Sequence, residues 1–246
     1  MSMTTRRVLI TGGGTGLGAD LALAFAGQGA EVVITGRRLE PLQTIAAQSD
    51  GIRATTGDVT DENSVAAMFE AAGPVDIVIA NAGASASAPF GKTSLDDWNA
   101  MLAANLTGTF LTLRAGLNQM SGWGRLIAIS STAGLKGYAY VAPYAAAKHG
   151  VVGLIRSLAL EVARSDVTAN ALCPGFLDTE MTERSVARIA GATGRDESEA
   201  RASLEALNPQ GRLIQPSEVT AAALWLSGPG SEGVNGLAIS ISGGEI

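Results

Sequence analysis

Short β-branched apolar runs alternate with longer Ala- and Leu-rich stretches along most of the chain. Arg7–Thr11, Glu31–Thr35, Ile52–Gly57, Val75–Ala80, Arg125–Ser130, Val167–Leu172 and Leu237–Ile241 read as strands. Most of these runs are hydrophobic without a break, the pattern of strands covered by helices on both faces. Between them, Gly18–Gln28, Glu62–Ala72, Leu95–Gln119, Ala142–Ala163 and Pro216–Leu226 read as helices. Strand–helix alternation of this kind predicts an α/β fold, a doubly wound parallel sheet in a three-layer α/β/α arrangement with right-handed crossovers.

No Pro/Ser-rich linker, charge run or fixed-period repeat divides residues 1–246, so the chain reads as a single domain. One compositional break stands out, residues 179–210, which are polar, Ala-rich and weakly helical. That is too long for an ordinary connection, and long connections in compact domains usually serve as lids or binding loops. A substrate-binding lid is therefore expected there, with a surface helical excursion as the plainer alternative.

Composition narrows the function classes. At 46% hydrophobic and 16% charged, 246 residues can bury a large core without a disulfide or metal staple. Cys173 is the only cysteine and the chain has one histidine, which rules out an intrachain disulfide and a zinc site, and suits the cytoplasm. A formal charge of −6 speaks against nucleic acid or an anionic membrane as partner. The apolar stretch Val8-Leu9-Ile10 is too short for a signal segment, and no later stretch reaches a spanning length.

Candidate chemistry begins directly after the first strand, at Thr11-Gly12-Gly13-Gly14-Thr15-Gly16-Leu17-Gly18. A strand, a Gly-rich turn and a helix N-terminus make an anion site, because unpaired amides and the helix dipole converge on it. The spacing Gly12-x-x-x-Gly16-x-Gly18 departs from the common dinucleotide pattern, although Gly14-x-Gly16-x-x-Ala19 fits that pattern in another register. At the end of the second strand, where an acidic residue would grip the ribose hydroxyls of NAD, the chain has Gly36-Arg37-Arg38. Cations in place of a carboxylate suit a 2′-phosphate, so NADP is expected over NAD, with NAD still open. Asp58, after the third strand, is placed to accept from an adenine amino group.

In the second half, Ser130-Ser131 ends the fifth strand and Tyr144-Ala-Ala-Ala-Lys148 opens a helix. Tyr and Lys at i and i+4 share one helical face. A free phenol titrates near ~10, and a neighbouring ammonium favours phenolate, so the spacing predicts a tyrosine whose pKa is lowered toward neutrality. Ser131 could donate to a substrate oxygen while Tyr144 exchanges the proton, as needed when a carbonyl gains a hydride. Lys92, Lys136 and Lys148 are the only lysines, which gives the pair more weight. His149 points away from Lys148 by helix geometry, and Cys173, Trp98, Trp123 and Trp225 read as packing. Arg6, Arg7 and Arg212 read as solvated charge.

From Arg7 to Ile246 the chain resembles the short-chain dehydrogenase/reductase family. The match is carried by Thr11-Gly-Gly-Gly-Thr-Gly-Leu-Gly18, Asp58-Val59, Asn81-Ala82-Gly83, Asn105, Ser131, Tyr144-x-x-x-Lys148, Pro174-Gly175 and Thr179. The family often has a second Asn where this chain has Ala80. The resemblance implies a Rossmann-like domain with a seven-stranded parallel sheet and an NAD(P)-dependent hydride transfer. It implies a catalytic tetrad of Asn105, Ser131, Tyr144 and Lys148, with Asn105 at a helix break that connects Lys148 to solvent. It also implies that Gly12, Thr15, Gly16, Leu17, Gly18, Arg37, Arg38, Asp58, Val59, Asn81, Ala82 and Gly83 hold the dinucleotide. Pro174, Gly175 and Thr179 would then flank the nicotinamide, with Tyr144 and Lys148 against its ribose.

The substrate pocket is expected among Ser131, Ala133, Leu135, Tyr138, Tyr140, Phe176, Leu177 and Met181. That lining is largely apolar, and the overall pattern, including Asn208-Pro-Gln-Gly-Arg-Leu213 and Gly243-Gly244, resembles bacterial 3-oxoacyl-thioester reductases and 3-hydroxyacyl-CoA dehydrogenases. The leading expectation is a 3-oxoacyl thioester or related hydrophobic ketone. A dehydrogenase of another secondary alcohol (sugar, steroid or cyclic alcohol) and a non-catalytic dinucleotide sensor are the alternatives. The resemblance further implies a homodimer or homotetramer, with Leu95–Gln119 and Ala142–Ala163 pairing across a two-fold axis.

Overall fold

Alternation along the strands explains why so many of them are hydrophobic throughout. Successive strand side chains point to opposite faces, and in this protein both faces are core. Val8, Val32, Ile77, Ile127 and Leu172 pack on one side, while their neighbours Leu9, Val33, Val78, Leu126 and Ala171 pack on the other. The structure is a computed structural model that describes residue 3 and residues 5–246.

In chain order the first half runs β1 (Arg7–Thr11), α1 (Gly16–Gly27), β2 (Glu31–Gly36), α2 (Leu39–Ala46), β3 (Ile52–Thr56), α3 (Glu62–Ala72) and β4 (Ile77–Ala80). It continues with α4 (Leu95–Leu102), α5 (Gly108–Gln119), β5 (Gly124–Ile129), α6 (Ala142–Val162) and β6 (Val167–Pro174). Then follow α7 (Glu180–Thr193), α8 (Glu197–Glu205), α9 (Pro216–Leu226) and β7 (Ala238–Ile241). The seven strands form one sheet in the order β3-β2-β1-β4-β5-β6-β7, and every pairing is parallel. Chain order reverses between β1 and β4, and open α/β sheets form their ligand crevice at the carboxyl ends of strands beside such a point. This is the Rossmann-like α/β fold expected from the pattern.

Three elements differ from the sequence reading. Leu95–Gln119 is interrupted by one wide π-helical turn, Ala103–Thr107, centred on Asn105. The asparagine amide donates to the carbonyl oxygens of Met101 and Ala84, both at 3.0 Å, so its side chain fills space where the regular ladder is loosened. Helix α2 was not anticipated, since it is eight residues long and buries only Leu42. The 179–210 stretch is two well-formed helices rather than weakly helical chain, and they share a small core of Val186, Ala200, Leu204 and Leu213. Arg201 joins them, reaching Glu205 at 3.0 Å on its own helix, Glu183 on α7, and Asp178 at 2.8 Å before it. Among the described residues, no helix is long and apolar enough to cross a membrane.

Candidate active site

The glycine turn after β1 is shaped by backbone demands. Gly12 sits at φ +68°, a left-handed conformation that favours glycine. A Cβ on Gly18 would lie 2.1 Å from the Gly12 carbonyl oxygen, so only glycine lets α1 start this close to the turn. Asn81 secures the arrangement from β4: its amide donates to Thr11 O at 2.9 Å, and its backbone N–H donates to Thr11 Oγ1 at 3.1 Å. Thr15 is extended at the N-cap and makes no side-chain cap bond. The amides of the first turn therefore have no partner in their own helix, and Gly16, Leu17 and Gly18 face a cavity of about 580 Å³.

Arg37 and Arg38 line the same cavity where β2 ends. Among the described residues neither arginine joins an ion pair. An anion-ready helix terminus with two cations beside it fits a dinucleotide pyrophosphate and a further phosphate.

At the other end of the cavity Ser131, Tyr144, Lys148 and Asn105 come together. Ser131 follows β5, and its hydroxyl lies close enough to the Tyr144 phenol to favour the ionised form. Tyr144 and Lys148 lie on the first turns of α6, and Lys148 Nζ stands 5.6 Å over the Tyr144 ring centroid. Lys148 is buried, and its Nζ donates to Ile129 O at 2.8 Å. A Cβ on Gly83 would lie 2.7 Å from Asn105 Oδ1 and 3.8 Å from Lys148 Nζ, so the bare Gly83 lets these groups converge.

The electrostatics correct one expectation. Tyr144 is not lowered toward neutrality: burial raises its pKa above the ordinary phenol value, and the neighbouring Ser131 hydroxyl only partly offsets this. Burial instead acts on the cation, bringing Lys148 down to about 8. The i, i+4 spacing identified the pair but carried no information about desolvation.

Most of the expected site residues meet in this cavity. Gly12, Thr15, Asn81, Ala82, Gly83, Pro174, Gly175 and Thr179 line it, as do Ala133, Tyr138, Tyr140, Phe176, Leu177 and Met181. Leu135 does not; it packs against the core cluster under α6. Asp58 and Val59 also lie off the cavity. Asp58 Oδ1 accepts from Thr60 N and Oγ1, and Val59 fills the space left by Gly108.

The sequence reading missed Ser85 and Ser87 after β4, and Arg188, Ile189 and Leu207 from the 179–210 region. Arg188 reaches across to Ser87 Oγ at 3.3 Å; its helical register against the cavity was not visible without α7. Cys173 is fully buried, with its thiol pKa raised by burial, and His149 is exposed with Nδ1 2.9 Å from Ala145 O. Arg212 is paired with Glu218 at 2.6 Å, away from the cavity.

Comparison with known proteins agrees with this geometry. Residues 6–190 match the family model described as short chain dehydrogenase. Gluconate 5-dehydrogenase of Gluconobacter oxydans is 35% identical, over 99% of this chain and 95% of its own. The 3-oxoacyl-(acyl-carrier-protein) reductase MabA of Mycobacterium bovis is 32% identical, over 98% and 92%. A crystal structure of an actinorhodin polyketide ketoreductase variant with NADPH superposes with a TM-score of 0.91 at 34% identity, covering 99% of both chains. With the glycine turn, the serine after β5 and the Tyr–Lys pair of α6 opening on one cavity, the chain belongs to the short-chain dehydrogenase family of nicotinamide-dependent oxidoreductases acting on alcohols and ketones.

Proposed function

We propose that the protein reduces a hydrophobic ketone, with a 3-oxoacyl thioester as the leading substrate class, and that it prefers NADPH. One observation carries the reading: a phenol held protonated by burial stands beside a serine hydroxyl and a buried cation, in the cavity that the glycine turn opens.

A bound nicotinamide supplies the hydride. Ser131 orients the carbonyl oxygen by hydrogen bonding, and Tyr144 delivers the proton that oxygen must gain. Lys148 places its cation against the tyrosinate as it forms, and this stabilisation, absent for the neutral phenol, favours the transfer. The π-helical turn at Asn105 gives Lys148 a route for proton exchange with solvent. Arg37 and Arg38 take the 2′-phosphate of NADP, and Ala133, Tyr138, Tyr140, Phe176, Leu177 and Met181 enclose the apolar part of the substrate. Helices α7 and α8 act as the lid. Exposed Phe110 and Leu160, on α5 and α6, suit pairing of these helices with a second copy of the chain.

A panel of linear 3-oxoacyl thioesters, cyclic ketones and sugars, followed by NADPH absorbance, tests the reading. Thioesters or apolar ketones should be turned over best, and Tyr144→Phe should abolish turnover while dinucleotide still binds. Strict preference for sugars overturns the substrate class; dinucleotide binding without turnover of any ketone or alcohol points to a sensor. Arg37→Ala should weaken NADPH binding by about tenfold and leave NADH binding unchanged, as expected for loss of a charge-assisted contact.

A further inference from the structure

Behind the substrate wall lies a carboxylate that the reaction itself does not use. Glu245 follows β7 across Gly243 and Gly244, at φ +63° and +94°, a bend that only glycine makes without strain. The bend turns the Glu245 side chain inward, where it is 3% exposed. A carboxylate so far from water needs a cation or several donors. Lys136 supplies the cation, its Nζ 3.0 Å from Oε1, and the Tyr138 hydroxyl donates to the same oxygen. With its single proton committed to Glu245, the Tyr138 oxygen can accept from Thr132 Oγ1, 2.6 Å away. Lys136, Glu245, Tyr138 and Thr132 thus form one polar chain that ends next to Ser131.

Tyr138 also meets Phe176 edge-on, with ring centroids 6.4 Å apart, and a Cβ on Gly175 would lie 3.4 Å from Glu245 Oε2. Tyr138, Phe176 and Gly175 face the cavity, whereas Glu245 and Lys136 stand outside it. Burial and the adjacent carboxylate keep the Tyr138 phenol protonated.

We propose that Glu245 is a positioning residue for substrate specificity: from behind the wall it holds Tyr138 against Phe176 and so fixes the shape of the pocket beside Ser131. The proposal deepens the ketone-reduction reading and rests on it for its kinetic test. The kinetic variants are Tyr138→Phe, Glu245→Gln and the two combined, assayed with whichever ketone of the panel the unaltered protein turns over best. Each single change should raise KM for the ketone about tenfold with kcat nearly unchanged, as expected for losing one charge-assisted hydrogen bond that shapes binding. NADPH affinity, from fluorescence titration, should not move. The combined variant should match the single ones, because both remove the same contact. Effects that multiply, an unchanged KM in either single variant, or a parallel loss of NADPH affinity overturns the proposal. Glu245→Asp serves the same cycle where Glu245→Gln fails to fold, and its shorter reach should give the same rise in KM.

Amide hydrogen exchange over residues 132–141 gives a readout independent of turnover. It should quicken about tenfold in Glu245→Gln as local opening becomes easier, and unchanged exchange overturns the proposal. Absence of ketone turnover by the unaltered protein counts against the ketone reading alone.

Discussion

Lys148 shows how much a single side chain can hold in tension. Its pKa falls from 10.5 in the open chain to about 8 in the fold. Below both values the amine is charged in either state and burial costs the fold on the order of 3 kcal/mol. Between them the unfolded chain holds a proton that the folded chain has released, so this cost fades as pH rises from about 8 toward 10.5. Lys148→Met should therefore melt a few degrees higher at neutral pH and turn over no substrate. The gain should vanish in strongly alkaline buffer, and melting curves across pH check both points. Tyr144 shifts the other way, its phenol raised by burial. Ketone reduction should stay flat between about pH 6 and 8, because the proton donor stays loaded, while alcohol oxidation should climb with pH as the base form becomes accessible. Parallel pH–rate profiles in the two directions check this, and a fall in reduction through neutrality contradicts it. Both residues were visible as candidates in the sequence, from the Tyr-x-x-x-Lys spacing. Their protonation was not, because it depends on burial by β5, α6 and the loop after β4, which are far apart along the chain.

Among the elements, the glycine turn and the helix pair α7–α8 contrast in how they are built. The turn has no slack: Gly18→Ala would drive a methyl into the Gly12 carbonyl, and overpacking of this kind costs about 1–3 kcal/mol. That variant should lose stability in chemical denaturation and bind dinucleotide poorly. The α7–α8 pair instead holds together through four buried apolar residues and the Arg201 ion network. Arg201→Met should loosen it, raising amide exchange across 180–205 while the sheet stays protected, as a locally opening unit would behave. The two elements were unequally legible. Thr11 to Gly18 announces itself because its backbone geometry demands particular residues in a fixed order. Residues 179–210 show only polarity and length, since the arginine and acids that organise them pair across two helices. Leu135 misled for a related reason: neighbours in sequence, Ala133 and Tyr138, reach the cavity, but the turn between them points Leu135 into the core.

At the scale of the whole molecule, the alternation of apolar runs and helical stretches was enough to give the parallel, two-sided sheet, because a strand buried on both faces must be hydrophobic throughout. Strand order was not written in that alternation; the structure supplies it, with β1 and β4 side by side. The exposed apolar residues of α5 and α6 belong to this scale too. Light scattering should report a dimer or tetramer, and Leu160→Glu combined with Phe110→Glu should shift it toward monomer without lowering the melting transition of the isolated chain. A monomer before mutation removes the assembly proposal.

The order β4-β5-β6-β7 along the sheet is also the order in which a ribosome would release those strands. Each newcomer meets a ready-made edge and extends it outward, so that half of the sheet can grow as a zipper during translation. The exception is the seam between β1 and β4. One side of β1 is satisfied early by β2, while its other side waits until β2, β3 and their helices have been made. The crevice that receives the dinucleotide opens at this seam, so ligand binding falls where the sheet makes its one pairing out of chain order.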